Sequence, residues 1–281
     1  MKRFNSPIRW FGGKNRLDLR NWILPILESI PHTTYVEVFG GSGGLLIAKK
    51  PSVQEVYNDI DGALYDFFDV LSRKDLFEKF YRRVAVLPYS RELYKDCLVT
   101  YAEEKDRIER VTKWFIKMRN VFGGIPDTTG WSRSYKSKES WLTCLKNLPE
   151  IHSRLQNVFL ENSDWRKILK DYDNWEKNET LFYLDPPYVH STRTYGEYNF
   201  EMSDEDHVEL VCALLELSEK SHVVLSGYEN NLYKPLEESG WEVLKKIVPV
   251  FCSSSLVRSK REEVLWIKPY KRKRKTISFF E

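Results

Sequence analysis

Residues 35–50 read YVEVFGGSGGLLIAKK, and three backbone regimes follow one another within that stretch. Tyr35 to Phe39 alternate and are rich in β-formers, which predicts a short strand. Gly40-Gly41-Ser42-Gly43-Gly44 then breaks the pattern, and Leu45-Leu46-Ile47-Ala48 opens a helix. A strand, a glycine loop and a helix in this order start an α/β sheet, whose ligands gather at the carboxyl ends of its strands. Glycines at such an end let a backbone approach a ligand closely, although a glycine run after a strand also fits a plain turn.

Working outward, Gln54 to Asn58 predicts a second strand that ends in Asp59-Ile60-Asp61, and Ala63 to Leu71 has helical spacing. Val158 to Leu160, Leu181 to Leu184 and His222 to Leu225 are further short apolar runs, with a helix predicted from Ser203 to Ser218. Trp241 to Val250 and Glu263 to Lys268 read as two strands that pair antiparallel at one edge. Strands alternating with helices predict a mostly parallel sheet covered on both faces. The stretch from Lys74 to Lys117 is long, helical and dense in charge. After it come Arg119-Asn120-Val121-Phe122-Gly123-Gly124 and a polar stretch through Ser137. The expected organisation is a discontinuous catalytic domain, residues 1–70 and 158–281, with a helical insertion at 71–157.

Composition narrows the function classes. With 44 Lys and Arg against 41 Asp and Glu, the net charge of +3 barely favours nucleic acid, although Lys271-Arg272-Lys273-Arg274-Lys275 is a dense cationic run suited to phosphates. Cys97, Cys144, Cys212 and Cys252 lie far apart, without zinc-ligand spacing or a disulfide framework, and read as reduced cytoplasmic thiols. No stretch approaches a membrane span, and the start lacks the apolar region of a secretion signal. A phosphate-binding GxGxxG would need glycine where Leu46 stands, and no GxxxxGK[ST] loop occurs, so dinucleotide dehydrogenases and nucleotide triphosphatases are disfavoured. Asp59, following the second strand, is placed where an acidic residue meets the two hydroxyls of a ribose. Together with the glycine loop it points to an adenosine-bearing cofactor.

The chemistry is carried by Leu181 to Tyr188, LFYLDPPY. Pro186 and Pro187 donate no backbone hydrogen bond and hold a stiff, extended exit from the strand. The Pro186 carbonyl and the Asp185 carboxylate then stand as two acceptors, and Tyr188 offers a face on which a planar ring can stack. An exocyclic amine has its lone pair delocalised into its ring and is a poor nucleophile. Two acceptors for its two hydrogens favour a pyramidal nitrogen with an available lone pair.

At this point the chain resembles the Dam-type DNA adenine methyltransferases. Trp10-Phe11-Gly12-Gly13-Lys14, Glu37-Val38-Phe39-Gly40-Gly41 and Asp185-Pro186-Pro187-Tyr188 occur in that family's order. The resemblance implies a Rossmann-like methyltransferase sheet with an inserted helical target-recognition domain, S-adenosylmethionine as cofactor and no metal. It implies double-stranded DNA as partner, without membrane or obligate protein partner, in the cytoplasm of a bacterial, archaeal or phage-infected cell. Carried over by position, Trp10, Lys14, Glu37, Phe39, Gly41, Asp59, Asp164, Trp165 and Asp185 contact the cofactor, Lys14 meeting its carboxylate or holding the N-terminal loop over it, and Asp164 with Trp165 at its adenine. Asp185, Pro186 and Tyr188 form the reacting centre.

Arg119, Asn120, Arg133, Lys136 and Tyr195 are the expected DNA contacts, with Arg110, Lys113 and Lys117 along one helix face. Arg193-Thr194-Tyr195, Tyr198, Asp206-His207 and Leu225-Ser226-Gly227-Tyr228 follow the catalytic motif much as in relatives. Two departures stand out: Glu37 replaces the commoner aspartate, and no Asn-Gly-Leu-x-Arg-Tyr-Asn segment follows Arg119, so GATC recognition is not supported. The alternatives are transfer to another planar amine, such as cytosine in DNA, adenine in RNA or a protein glutamine, and a DNA-binding relative that has lost catalysis.

Overall fold

The computed structural model describes residues 4–10, 12–120, 131, 134–173, 175, 178–192, 200–249 and 260–270. Among them, seven strands form one sheet in the order β3-β2-β1-β4-β5-β7-β6. The strands are β1 (Thr34–Glu37), β2 (Gln54–Asn58), β3 (Val158–Glu161), β4 (Thr180–Leu184), β5 (Ser221–Gly227), β6 (Glu242–Pro249) and β7 (Lys260–Ile267). Strands β1 to β5 are parallel, whereas β7 runs antiparallel between β5 and β6. The sequence pairs β6 with β7 correctly. It does not show that the later strand returns to an inner position.

Parallel strands buried on both faces need apolar residues throughout, and β1, β4 and β5 are buried along their whole length. On one face lie α1 (Leu17–Ser29), α2 (Gly44–Ala48) and α3 (Gly62–Ser72), followed in the chain by α4 (Lys74–Val84), α5 (Arg91–Thr100), α6 (Arg107–Asn120) and α7 (Tyr135–Leu155). The other face carries α8 (Trp165–Tyr172), α9 (Asp204–Glu216) and α10 (Lys234–Glu238). No element was expected at α1, whose pattern is interrupted by an internal Pro25. The start of α9 was legible, because Ser203 and Asp206 form a reciprocal capping box.

The long helical stretch from Lys74 to Lys117 is three helices. Pro88 precedes α5, and the Ser90 side chain caps it by accepting from the Leu93 N–H. Phe67 of α3 stacks on Phe115 of α6 at 5.6 Å and meets Phe80 of α4 edge-on, so α4 and α6 share one continuous core with α3. Such aromatic pairs contribute about 0.5–1.5 kcal/mol each beyond area burial. The last of these helices, α7, packs on α3 and delivers the chain to β3.

Candidate active site

The loop after β1 explains its own glycines. A side chain on Gly40 would sit 2.2 Å from the ring of Tyr57, and Gly41 takes a left-handed φ of 49° beneath the Trp10 indole. Tyr57 donates its hydroxyl to the Gly41 carbonyl at 2.7 Å, and the Gly41 N–H donates to Asp59 Oδ2 at 2.7 Å. Asn58 donates to the carbonyls of Val38 and Ser163, joining the ends of β1 and β2 to the turn before α8. The loop is therefore fixed from β2.

Around it opens a cleft of about 730 Å³, lined by Trp10, Lys14, Glu37, Phe39, Gly41, Asp59, Ile60, Tyr183, Asp185 and Pro187 among others. A second hollow of about 550 Å³ shares Phe39, Ile60, Pro187 and Phe200 with it and adds Asp164, Trp165 and Met202. The structure thus brings every expected cofactor residue to one pair of adjoining hollows. Asp164 caps α8, and Arg166, over the Trp165 ring, ties Asp164 to Asp206 and Glu209. His207 of the neighbouring pair is buried beside Tyr233, away from the cleft lining.

Two acidic groups here are perturbed. Burial pushes Glu37 up to about 7, against the opposing bonds from Tyr35 and the Leu46 N–H. Burial likewise pushes Asp59 up to about 6, although the N–H groups of Asp61 and Gly41 favour its charged form.

At the end of β4, Lys14 donates to both oxygens of Asp185, at 2.6 and 2.8 Å, and to the Tyr188 hydroxyl at 2.7 Å. That hydroxyl donates to Glu263 at 2.9 Å and lies 3.2 Å from Ser226 Oγ. Burial raises Asp185 despite Lys14, while Lys14 is raised because Asp185 and Glu263 outweigh the burial that acts against its charge. The Pro186 carbonyl accepts no hydrogen bond from the described residues.

Two expectations change. Lys14 is 4% exposed and committed to Asp185, so its ammonium is not free to reach out to a cofactor carboxylate. Tyr188 is also buried, its ring covered at the edge by Tyr228, and Pro187 lines the cleft in its place. Glu263 and Tyr183 were not anticipated at the site. Glu263 had a signal in the sequence, because it stands at an inward position of β7 in alternation with Leu265 and Ile267.

The expected DNA residues are dispersed. Arg110 and Lys113 pair with Asp66 and Glu104, and Lys117 is buried over the Tyr101 ring, so these three do not form an open basic face. Arg119 donates to Ser140, and Asn120 is buried with its amide on the Ile116 carbonyl. Lys136 is exposed. Arg133, Arg193-Thr194-Tyr195, Tyr198, Cys252 and the run from Lys271 to Lys275 lie outside the described residues. Among the described residues there is no cluster of metal-ligating side chains and no helix long and apolar enough to cross a membrane.

A mixed sheet of this order, with a glycine cradle at β1 and Asp-Pro-Pro-Tyr at the end of β4, is of the methyltransferase type. Residues 10–249 match the family described as D12 class N6 adenine-specific DNA methyltransferase, and the chain belongs to that family. It is therefore an enzyme that binds DNA and methylates adenine at N6 with S-adenosylmethionine. Among curated proteins no relative matches. Two solved structures match it at low scores. A precorrin 8w decarboxylase from Methanobacterium thermoautotrophicum is 10% identical, with 95% of this chain and 96% of that one covered and a TM-score of 0.40. An rRNA methyltransferase from Streptomyces viridochromogenes is 13% identical, with 91% and 84% covered and a TM-score of 0.38.

Proposed function

We propose that this enzyme methylates a specific site in double-stranded DNA by direct attack of a flipped-out adenine amine, with Asp185 and the Pro186 carbonyl as the amine's acceptors. The observation that carries the reading is the position of Asp185, at the mouth of the glycine-loop cleft, beside an unengaged carbonyl and against a buried lysine. The residues fit an adenosine-bearing cation. Gly40 and Gly41 admit close approach, Asp59 is placed for ribose hydroxyls, and the Glu37 carboxyl group also lines the cleft. Trp10, Phe39, Asp164 and Trp165 would complete its walls. S-adenosylmethionine supplies, when bound, an electrophilic methyl on a sulfonium.

The protein's part is orientation and proton handling. Asp185 and the Pro186 carbonyl draw the two amino hydrogens out of the ring plane and aim the lone pair. Once the amine had accepted the methyl group that the cofactor would supply, its nitrogen would be cationic. It would then lose a proton to Asp185 or to a water. Lys14 favours the ionised form of Asp185 against the burial that disfavours it. Flipping the base costs a few kcal/mol, which contacts to the duplex must offset.

Those contacts come from the 71–157 insertion, and the catalytic domain is 1–70 with 158–281. The exposure of Lys136 supports a phosphate contact, Arg133 is assigned to DNA as a basic residue flanking the tip of the insertion, and Tyr195 is assigned by resemblance. Arg119 and Asn120 support that surface from within, given their internal bonds. The enzyme works in the cytoplasm of a bacterial, archaeal or phage-infected cell. The test is labelled methyl transfer to duplex DNA, RNA and protein followed by nucleoside analysis, with modified adenines mapped in DNA from expressing cells. N6-methyladenine at a defined duplex sequence is expected, and label in RNA alone would end this reading.

A further inference from the structure

Glu263 lies where the fold asks for an apolar residue. On β7, Glu263, Leu265 and Ile267 face one side of the sheet, and the latter two belong to its core. Its neighbour Glu262 faces outward and pairs with Lys245, but Glu263 is 6% exposed and makes no ion pair among the described residues. A carboxylate so placed costs stability unless something else requires it. Its partner is the hydroxyl of Tyr188, three residues from Asp185 in the chain.

Donor chemistry fixes the direction of this chain of bonds. An ammonium only donates and a carboxylate only accepts, so the link between Lys14 and Glu263 needs a group able to do both, which the Tyr188 hydroxyl is, with the Ser226 hydroxyl 3.2 Å from it. With its proton on Glu263, at 2.9 Å, its lone pair must face Lys14, at 2.7 Å. Asp185 is the competing acceptor close to the same hydroxyl. Without Glu263 that proton is released to the acceptors that remain, Ser226 Oγ and Asp185, and on Asp185 it takes up an oxygen needed by the substrate amine.

We propose that Glu263 is a positioning residue of the methyl-transfer site: by taking the Tyr188 proton it orients Lys14 against Asp185 and leaves the Asp185 face toward the cleft open to the adenine amine. This rests on Asp185 being the amine's acceptor. A single-turnover assay with S-adenosylmethionine and duplex DNA, using full-length chains, tests it. Glu263→Leu is expected to lower the transfer rate at least tenfold, with cofactor and DNA affinities within about threefold of wild type. Because a charge lacking an ion pair is removed, this variant unfolds at or above the wild-type temperature. Glu263→Gln, whose amide oxygen still accepts from the hydroxyl, keeps at least a third of the rate. In a Tyr188→Phe background, Glu263→Leu adds less than about twofold.

Full activity in Glu263→Leu, a tenfold loss in Glu263→Gln, or additive losses in the double variant would each overturn the proposal. So would a lowered unfolding temperature in Glu263→Leu, which would mark a structural role. Asp185→Ala separates the two readings: if it stays active, the assignment of the amine's acceptor fails whatever the Glu263 variants do.

Discussion

The same sheet buries charge at both ends, with opposite arithmetic. At the amino end of β2, one carboxylate, Glu55, meets two cations: Lys49 at 2.7 Å and Arg154 at 2.5 Å. At the carboxyl end of β4, one cation, Lys14, pairs with Asp185, and a second carboxylate, Glu263, stands one hydroxyl away, bonded to Tyr188. The first cluster is closed off from the cleft, with further bonds from Lys49 to Ser52 and the Lys50 carbonyl and from Arg154 to the Leu46 carbonyl. The second opens onto the cleft. A closed cluster fixes α2, α7 and β2 to one another, whereas the open one holds an unbalanced acceptor in readiness for a substrate.

That contrast can be broken experimentally. Asp185→Ala is expected to lower methyl transfer by about 10⁴-fold or more, equivalent to over 5 kcal/mol of barrier. DNA binding should stay within about tenfold in a gel-shift titration. Stability should fall by less than in Glu55→Ala, because one buried cation rather than two loses its anion. Glu55→Ala should behave in the opposite way. Two buried cations lose their anion, so denaturant unfolding should show a loss of about 3–5 kcal/mol. Transfer per folded molecule at low temperature should remain within about threefold. A stable Glu55→Ala protein would erase the distinction between the clusters.

Asp59 lies between these extremes. Asp59→Ala should weaken cofactor binding by about 10- to 100-fold in calorimetry, the scale of hydrogen bonds to a charged group, with little change in stability. An unchanged affinity would remove Asp59 from the site. The smallest effect is in pH. With Asp59 raised to about 6, its folded form holds a proton more tightly than the unfolded chain does. Its contribution to stability is therefore present below the ordinary carboxylate range and is lost as pH rises through about 6. Ribose hydroxyls prefer the ionised carboxylate, so cofactor affinity should run the other way and fall about tenfold from pH 7 to pH 5. Asp59→Asn should flatten that slope, and a slope that persists would assign it elsewhere.

Much of this was legible in the chain because local chemistry and tertiary role coincided. Gly40 and Gly41 are required by contacts with Tyr57 and Trp10, and they stand out as a run in the sequence. Asp185-Pro186-Pro187 is stiff by covalent structure, and β2 spans the residues expected of it. What escaped depends on long-range pairing. Arg110 and Lys113 have the spacing of a DNA-facing stripe, yet Asp66 of α3 and Glu104 before α6 neutralise them. Tyr188 looks like a stacking platform until β5 and β7 close over it with Tyr228 and Glu263. Periodicity reports which face a residue occupies and is silent on which distant partner meets it there.

The inner position of β7 has a consequence for the making of the enzyme. Strand β6 emerges from the ribosome first, yet in the sheet it is joined to β5 only through β7. Until residues 260–267 arrive, β5 presents an open edge and β6 has nothing to pair with, a state prone to mispairing. Glu263 arrives on that same strand. A chain stopped short of Lys260 thus lacks both the clasp that closes the sheet and the group that orients Lys14, so translation itself withholds a well-set transfer site from unfinished copies.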